Sequence, residues 1–253
     1  MHLEDCRAVV TGAASGIGAH VVERLAQAGA QVVAADVDFE GLLQLAERCR
    51  KHPGRIHPLA VDVSNADSVA SFAEEALREL PRVNVLMNCA GVLADSVLLQ
   101  PEEGWTRRLP PALWRRVLDT NLSGPFLVAR EIAPAMLPPQ GQGGIILNIS
   151  SLARSGNAGQ SAYAASKAGL DAATRSWALE LAPYQVRVVG IAPGVIETPM
   201  LAHITGAARE RLLARVPLQR FGTVEEIWHG VAFVIACEYF NGRVLEIDGG
   251  TVL

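Results

Sequence analysis

Cys6-Arg7-Ala8-Val9-Val10-Thr11, followed by Gly12-Ala13-Ala14-Ser15-Gly16-Ile17-Gly18, is the stretch on which the reading of this 253-residue chain turns. The first six residues read as a short apolar strand. A helix then runs from about Ile17 to Ala28 and stops at Gly29, a residue that readily takes the left-handed conformation ending a helix. Glycines at 12, 16 and 18 fall between strand and helix. One permits a tight turn, one lets a pyrophosphate approach the backbone, and one lets helix and strand pack closely. A glycine turn alone says little; in this position it points to a dinucleotide site that would include Ser15 and Ile17.

Outward from that turn the chain alternates. Gln31–Ala35 reads as the second strand and ends at Asp36. A carboxylate there would bond both adenosine ribose hydroxyls and repel a 2′-phosphate, and neither Ser15 nor Val37 offers a cation for one. The pattern predicts NAD over NADP; the competing reading has Asp36 capping the helix from Phe39. Helix 40–50, strand 56–61 and helix 65–80 follow. Asp62 fits two roles, a contact to the adenine amino group with Val63 beside it, or a turn residue. Strand 83–87 leads into Asn88-Cys89-Ala90-Gly91, small residues against which a nucleotide ribose can lie. Residues 92–108 read as a loop or short insert, and Pro110-Pro111 start a helix to about Met136. Asn121 stands inside that helix, where Asn is mildly unfavourable and asks for a reason.

Strand 145–149 ends at Ser150, and strand 186–191 leads into Ala192-Pro193-Gly194-Val195-Ile196-Glu197-Thr198-Pro199. Residues 200–216 form a loosely amphipathic flap over the strand ends. Helix 224–237 and strand 243–247 close the chain. Seven strands alternating with six or more helices, without repeats, predict an α/β fold: one Rossmann-type doubly wound parallel sheet, with residues 1–253 as a single domain.

Bulk properties agree. Half the residues are hydrophobic and 19% charged, ample for a sheet covered on both faces. A net charge of −4 argues against nucleic acid as a partner. Cys6, Cys49, Cys89 and Cys237 show no CxxC or metal-ligand spacing and read as small buried hydrophobes. The six histidines contain no HExxH, so no metal is implied. No apolar run reaches the ~18 residues of a membrane span, and the expectation is a cytoplasmic protein.

The chemistry centres on Tyr163-Ala164-Ala165-Ser166-Lys167. Four residues apart on a helix, Tyr163 and Lys167 share a face. A cation within about 4–6 Å favours the phenolate, which would make Tyr163 a general acid/base for hydroxyl–carbonyl interconversion. Ser150 would stand nearby, at the carboxyl edge where open α/β sheets bind ligands.

Together these residues resemble the short-chain dehydrogenase/reductase family. The matching set is Thr11-Gly12-x-x-x-Gly16-Ile17-Gly18, Asp62, Asn88-x-Ala90-Gly91, Asn121, Ser150, Tyr163-x-x-x-Lys167, Pro193-Gly194 through Thr198, and Asp248-Gly249-Gly250. The resemblance implies that Tyr163 exchanges the proton with the substrate oxygen and that Lys167 lowers its pKa and holds the nicotinamide ribose. It further implies that Ser150 bonds the same oxygen, Asn121 holds a water linking Lys167 to solvent, and Pro193, Gly194, Ile196 and Thr198 line the nicotinamide. Gln160 could contact a 3-oxo group. Family members commonly form homotetramers through the Asn121 and Tyr163 helices, where Trp114 and Trp177 fit either interface or core.

Two groups within the family look similar. The 3-oxoacyl-acyl-carrier-protein reductases share Val216-Pro217-Leu218-x-Arg220-Phe221-Gly222. The 3-hydroxyacyl-CoA dehydrogenases share the insert before Asn121, Asn88-Cys89-Ala90-Gly91 and an acid at position 36. Residues 141–144 and Leu179 replace basic residues usual in the carrier-protein group, which tilts the expectation toward a CoA thioester and NAD. Alternatives are a steroid or simple secondary alcohol as substrate, or a non-catalytic NAD-binding redox sensor.

Overall fold

Consecutive apolar residues in a strand point to opposite faces, so a strand covered on both faces must be apolar throughout. Residues Ala8 and Val10 enter one hydrophobic core while Val9 enters the other, and Val32 and Ala34 part from Val33 and Ala35 in the same way. The computed structural model describes residues 1–202 and 204–251.

The strands are β1 Arg7–Thr11, β2 Gln31–Asp36, β3 Arg55–Ala60, β4 Val85–Asn88, β7 Gly144–Ile149, β8 Val186–Pro193 and β9 Val244–Ile247. They form one parallel sheet in the order β3-β2-β1-β4-β7-β8-β9. The order reverses between β1 and β4, opening the crevice in which such sheets bind ligands. Helices α1 (Gly16–Gln27), α2 (Phe39–Arg48) and α8 (Val224–Ala236) cover one face. Helices α3 (Ala66–Glu79), α5 (Gly124–Ile132) and α6 (Ser161–Leu181) cover the other. Leu25 of α1 and Val231 of α8 are almost wholly buried, each contributing roughly 1.5–3 kcal/mol. Trp177 packs against the α3–α5 core, half-buried, whereas Leu179 is exposed.

The ends of these helices follow local chemistry. Gly29 (φ +94°) terminates α1, with Gly29 N–H bonded to Ala26 O and Ala30 N–H to Leu25 O. The N-cap of α2 is Asp38, which accepts from Gly41 N–H. Asp36 therefore does not cap that helix. Asn65 caps α3 through Asp67 and Ser68 N–H.

Two expectations change. Residues 92–108 are not all loop: β5 (Leu99–Glu102) and β6 (Trp105–Arg108) form an antiparallel hairpin, with Gly104 (φ +78°) supplying the turn. The long helix is broken into α4 (Pro111–Leu118), a π-turn at Asp119–Ser123 and α5. In the flap, α7 covers Gly206–Leu213, and Leu201, Val216 and Phe221 form a small separate core; His203 lies outside the described residues. No described helix is long and apolar enough to cross a membrane.

Gly18 joins turn to sheet. A Cβ there would stand 2.1 Å from Gly12 O, so Gly18→Ala must push the turn open. The expected cost is about 1–3 kcal/mol, read as a lower urea midpoint at unchanged slope. Gly16→Ala meets nothing closer than 3.7 Å and should show only the smaller strain of its positive φ.

Candidate active site

The carboxyl ends of β1, β4, β7 and β8 open into a cavity of about 800 Å³. Its floor is the glycine turn. The Gly12 position passes so close to the next strand that a Cβ would meet Ala90 N at 2.6 Å. Ser15 begins α1 without capping it by its side chain, leaving first-turn N–H groups for an anion. Gly12, Ser15, Gly16, Ile17, Asp36, Asp62, Val63, Ala90, Gly91, Tyr163, Lys167, Pro193, Gly194, Ile196 and Thr198 all line this cavity.

At its far end, Asp36 is held rather than mobile. Its Oδ2 accepts from Ala14 N–H (3.0 Å) and its Oδ1 from Asp38 N–H (3.1 Å). Each oxygen keeps a free lone pair, and the residue lines the cavity. Val37 beside it is 76% exposed and brings no charge. Asp62 serves its turn: Oδ1 accepts from the backbone and hydroxyl of Ser64.

Three residues expected at the site stand behind it. Asn88 and Gly18 are buried away from the cavity. Asn88 is paired with Asn148 across β4–β7, and its Nδ2 donates to Asn148 Oδ1 at 2.9 Å. Asn148 in turn donates to Thr174 Oγ1 at 2.9 Å, so Asn88 belongs to a buried polar chain joining β4, β7 and α6. Asn121 is fully buried in the π-turn. It donates to Val92 O (2.9 Å) and Ser166 Oγ (3.3 Å) and accepts from Val92 N–H (2.8 Å). That double bond to Val92 is the reason the helix interior holds an Asn, and it fixes the cavity wall after Gly91.

Tyr163 and Lys167 share one face of α6, with the Lys167 Nζ 5.7 Å from the ring centroid. Lys167 is buried, and its Nζ donates to Ile149 O at 2.6 Å. Burial lowers its pKa to about 8, against the opposing pull of Cys89 and Asp171. The Tyr163 phenol moves up, not down as expected. Loss of water dominates, and the compensating group is the Ser151 hydroxyl rather than Lys167.

Ser150 and Ser151 both line the cavity, but they are placed differently. Period-two alternation carries Ser150 to the α6 side with Ile146 and Asn148. There it is 2% exposed, and its hydroxyl pulls down the pKa of Asp171, which burial raises. Ser151, past the strand end, turns to Tyr163 instead and accepts from Ala153 N–H at 3.1 Å. Gln160 lines the same wall, its amide engaged by Asn157 (2.9 Å) and Asp95 (3.0 Å). Among the described residues no cluster of His, Cys, Asp or Glu could hold a metal.

A family model described as short chain dehydrogenase matches residues 7–208. The chain is 39% identical to a 3-oxoacyl-[acyl-carrier-protein] reductase of Thermotoga maritima over the full length of both. It is 36% identical to the cis-4-hydroxycyclohexanecarboxylate dehydrogenase of Sinomonas cyclohexanicum, covering 96% of this chain and 95% of that protein. The crystal structure of a short-chain type dehydrogenase/reductase from Mycobacterium marinum superposes with a TM-score of 0.88 at 31% identity, covering 98% and 96% of the two chains.

The buried amine has a thermodynamic signature. Below pH about 8 Lys167 is protonated in both folded and unfolded chains, so its burial penalty is constant. Between about 8 and 10.5 the native amine is neutral while the unfolded one stays charged. The unfolded chain then binds more protons, and stability rises with pH. From pH 8 to 9.5 the rise is about 2 kcal/mol. Urea unfolding at both pH values should show it as a gain of the native chain over Lys167→Met, superimposed on the opposite trend from the buried Cys6 and Cys89 thiols that both chains share; parallel behaviour of the two chains would contradict it.

Proposed function

The chain belongs to the short-chain dehydrogenase family, and on that footing we propose an NAD(H)-dependent oxidoreductase interconverting a 3-hydroxyacyl and a 3-oxoacyl thioester. The chain is an oxidoreductase of a family that binds a nicotinamide cofactor; the cofactor's identity, the substrate and the residue roles are the proposal. The observation that carries it is the convergence of Tyr163, Ser151 and Lys167 on one cavity floored by the glycine turn.

The residues present fit the cofactor. Backbone N–H groups at Ser15–Gly18 would hold its pyrophosphate, Asp36 the adenosine ribose, and Lys167 the nicotinamide ribose. Val63, Ala90 and Gly91 would pack against it, and Pro193, Gly194, Ile196 and Thr198 would line the nicotinamide. When bound, the dinucleotide supplies hydride chemistry at the carbon bearing the reacting oxygen. The chain's own work is on that oxygen. Tyr163 moves the proton to or from it, and Ser151 donates a hydrogen bond that stabilises charge developing there. Lys167, stripped of water, gains most from ribose hydroxyls that replace the lost hydration. Asn121 acts at one remove, through the Val92 backbone. The same reading takes residues 1–253 as one NAD-binding domain and the assembly as a homotetramer.

The acyl carrier is the open choice. Exposed Leu179 and the uncharged 141–144 turn favour CoA, while several relatives are named for acyl carrier protein, so the preference for CoA draws no support from them. A cyclic secondary alcohol, suggested by the dehydrogenase from Sinomonas cyclohexanicum, is the second reading.

Fluorescence titration should find NADH tighter than NADPH by about 30-fold, roughly 2 kcal/mol, and Asp36→Asn should remove most of that gap. With NADH, turnover of acetoacetyl-CoA and of the same acyl group on acyl carrier protein identifies the carrier. Tighter NADPH would overturn the Asp36 argument. Tight NADH without turnover of either thioester would move the substrate to alcohols of the second reading.

A further inference from the structure

We propose that Arg154 is a positioning residue for the reaction: its guanidinium ties the loop bearing the Ser151 hydroxyl to the helix bearing Tyr163. The proposal rests on the roles given above to Ser151 and Tyr163.

Tyr163, Lys167 and Asp171 follow one another at intervals of four and so lie along one face of α6. Asp171 therefore moves with the reacting phenol. Arg154 stands in the 3₁₀ turn Leu152–Ser155, three residues after Ser151. Its Nε meets Asp171 Oδ2 at 2.9 Å, its Nη1 donates to the Ser151 carbonyl at 3.3 Å, and its Nη2 reaches the Glu246 carboxylate on β9. A planar fork can serve three elements at once, whereas a lysine presents a single point charge. The Arg154 and Asp171 side chains are only 17% and 7% exposed, so solvent screens the pair weakly.

The loop needs such a tie. Its start is anchored by Ser150 N–H to Ile191 O (2.7 Å) and its far end by Ser96 N–H to Gly159 O (2.7 Å). Gly156 and Gly159, both at positive φ, have open space where a side chain would stand. Between those anchors, among the described residues, the ion pairs joining the loop to α6 and β9 come from Arg154. A loose loop would leave Ser151 in the cavity but off the substrate oxygen, a misplacement that lowers rate more than binding.

The test compares Arg154→Leu and Arg154→Lys in the native and Ser151→Ala backgrounds, with NADH and the thioester that turns over. Arg154→Leu should lower kcat at least about tenfold, with KM and the NADH Kd within about twofold. Arg154→Lys should fall between. In the Ser151→Ala background, removing Arg154 should cost less than about twofold, because the hydroxyl it positions is gone. Full kcat in Arg154→Leu, or an equal loss without Ser151, would overturn the proposal. If Arg154→Leu does not fold, the double variant Arg154→Leu, Asp171→Leu replaces the buried pair by apolar contact. It should be stable yet slow, and a stable variant at full rate overturns the proposal equally. Tyr163→Phe runs beside them. Turnover surviving in that variant sinks the underlying reading, whereas an inactive Tyr163→Phe with a full-rate Arg154→Leu sinks the positioning role alone.

Discussion

Seven strands running parallel impose one constraint from which the site follows. Every connection must cross back over a face of the sheet, so both faces are covered and every carboxyl end opens on the same edge. With the winding reversing between the neighbouring inner strands β1 and β4, that edge parts into a crevice. The glycine turn after β1, the small residues after β4, the serines after β7 and the Pro193-Gly194 turn after β8 reach it without any other device. Charge and hydroxyl groups meet there because topology brings four strand ends together, although they come from segments as far apart in the chain as Ser15 and Thr198.

Within the crevice the controlling element is α6. Lys167 is stripped of water and bonded to Ile149 O, so the helix is locked to the end of β7 at the residue before the serines. Two further ties run from the same helix: Thr174 to Asn148, and Asp171 to Arg154. Burying an amine is unfavourable, and here it stays buried because the helix and strand around it are fixed by the two cores. The low pKa of Lys167 is the trace of that burial. The raised phenol of Tyr163 has the same origin, offset in part by the Ser151 hydroxyl.

The alternation of strands and helices was legible along nearly the whole chain because each strand is buried on both faces and reads as an apolar run. Elements that depend on exposed or long-range contacts were not. The 99–108 hairpin carries Pro101 and an exposed Trp105, so no apolar stripe announces it. The π-turn is invisible in helix periodicity; Asn121 is its one outward sign, and its cause, Val92, lies 29 residues away. Asn88 looked like a cofactor ligand because it precedes Ala90 and Gly91, yet alternation turns it inward to Asn148. The place at the carboxyl end of β7 pointed to Ser150, whereas the hydroxyl that offsets the raised phenol of Tyr163 is that of Ser151, one residue further on.

The most direct measurement is kcat with saturating NADH and acyl thioester for Ser151→Ala and Ser150→Ala, each against the native chain. The expected result is a loss of about 10²–10³ in Ser151→Ala, the effect of removing one oxyanion donor, with Ser150→Ala within about fivefold of native. The opposite order, with Ser150→Ala inactive and Ser151→Ala nearly native, would contradict the geometry on which the proposed chemistry is built.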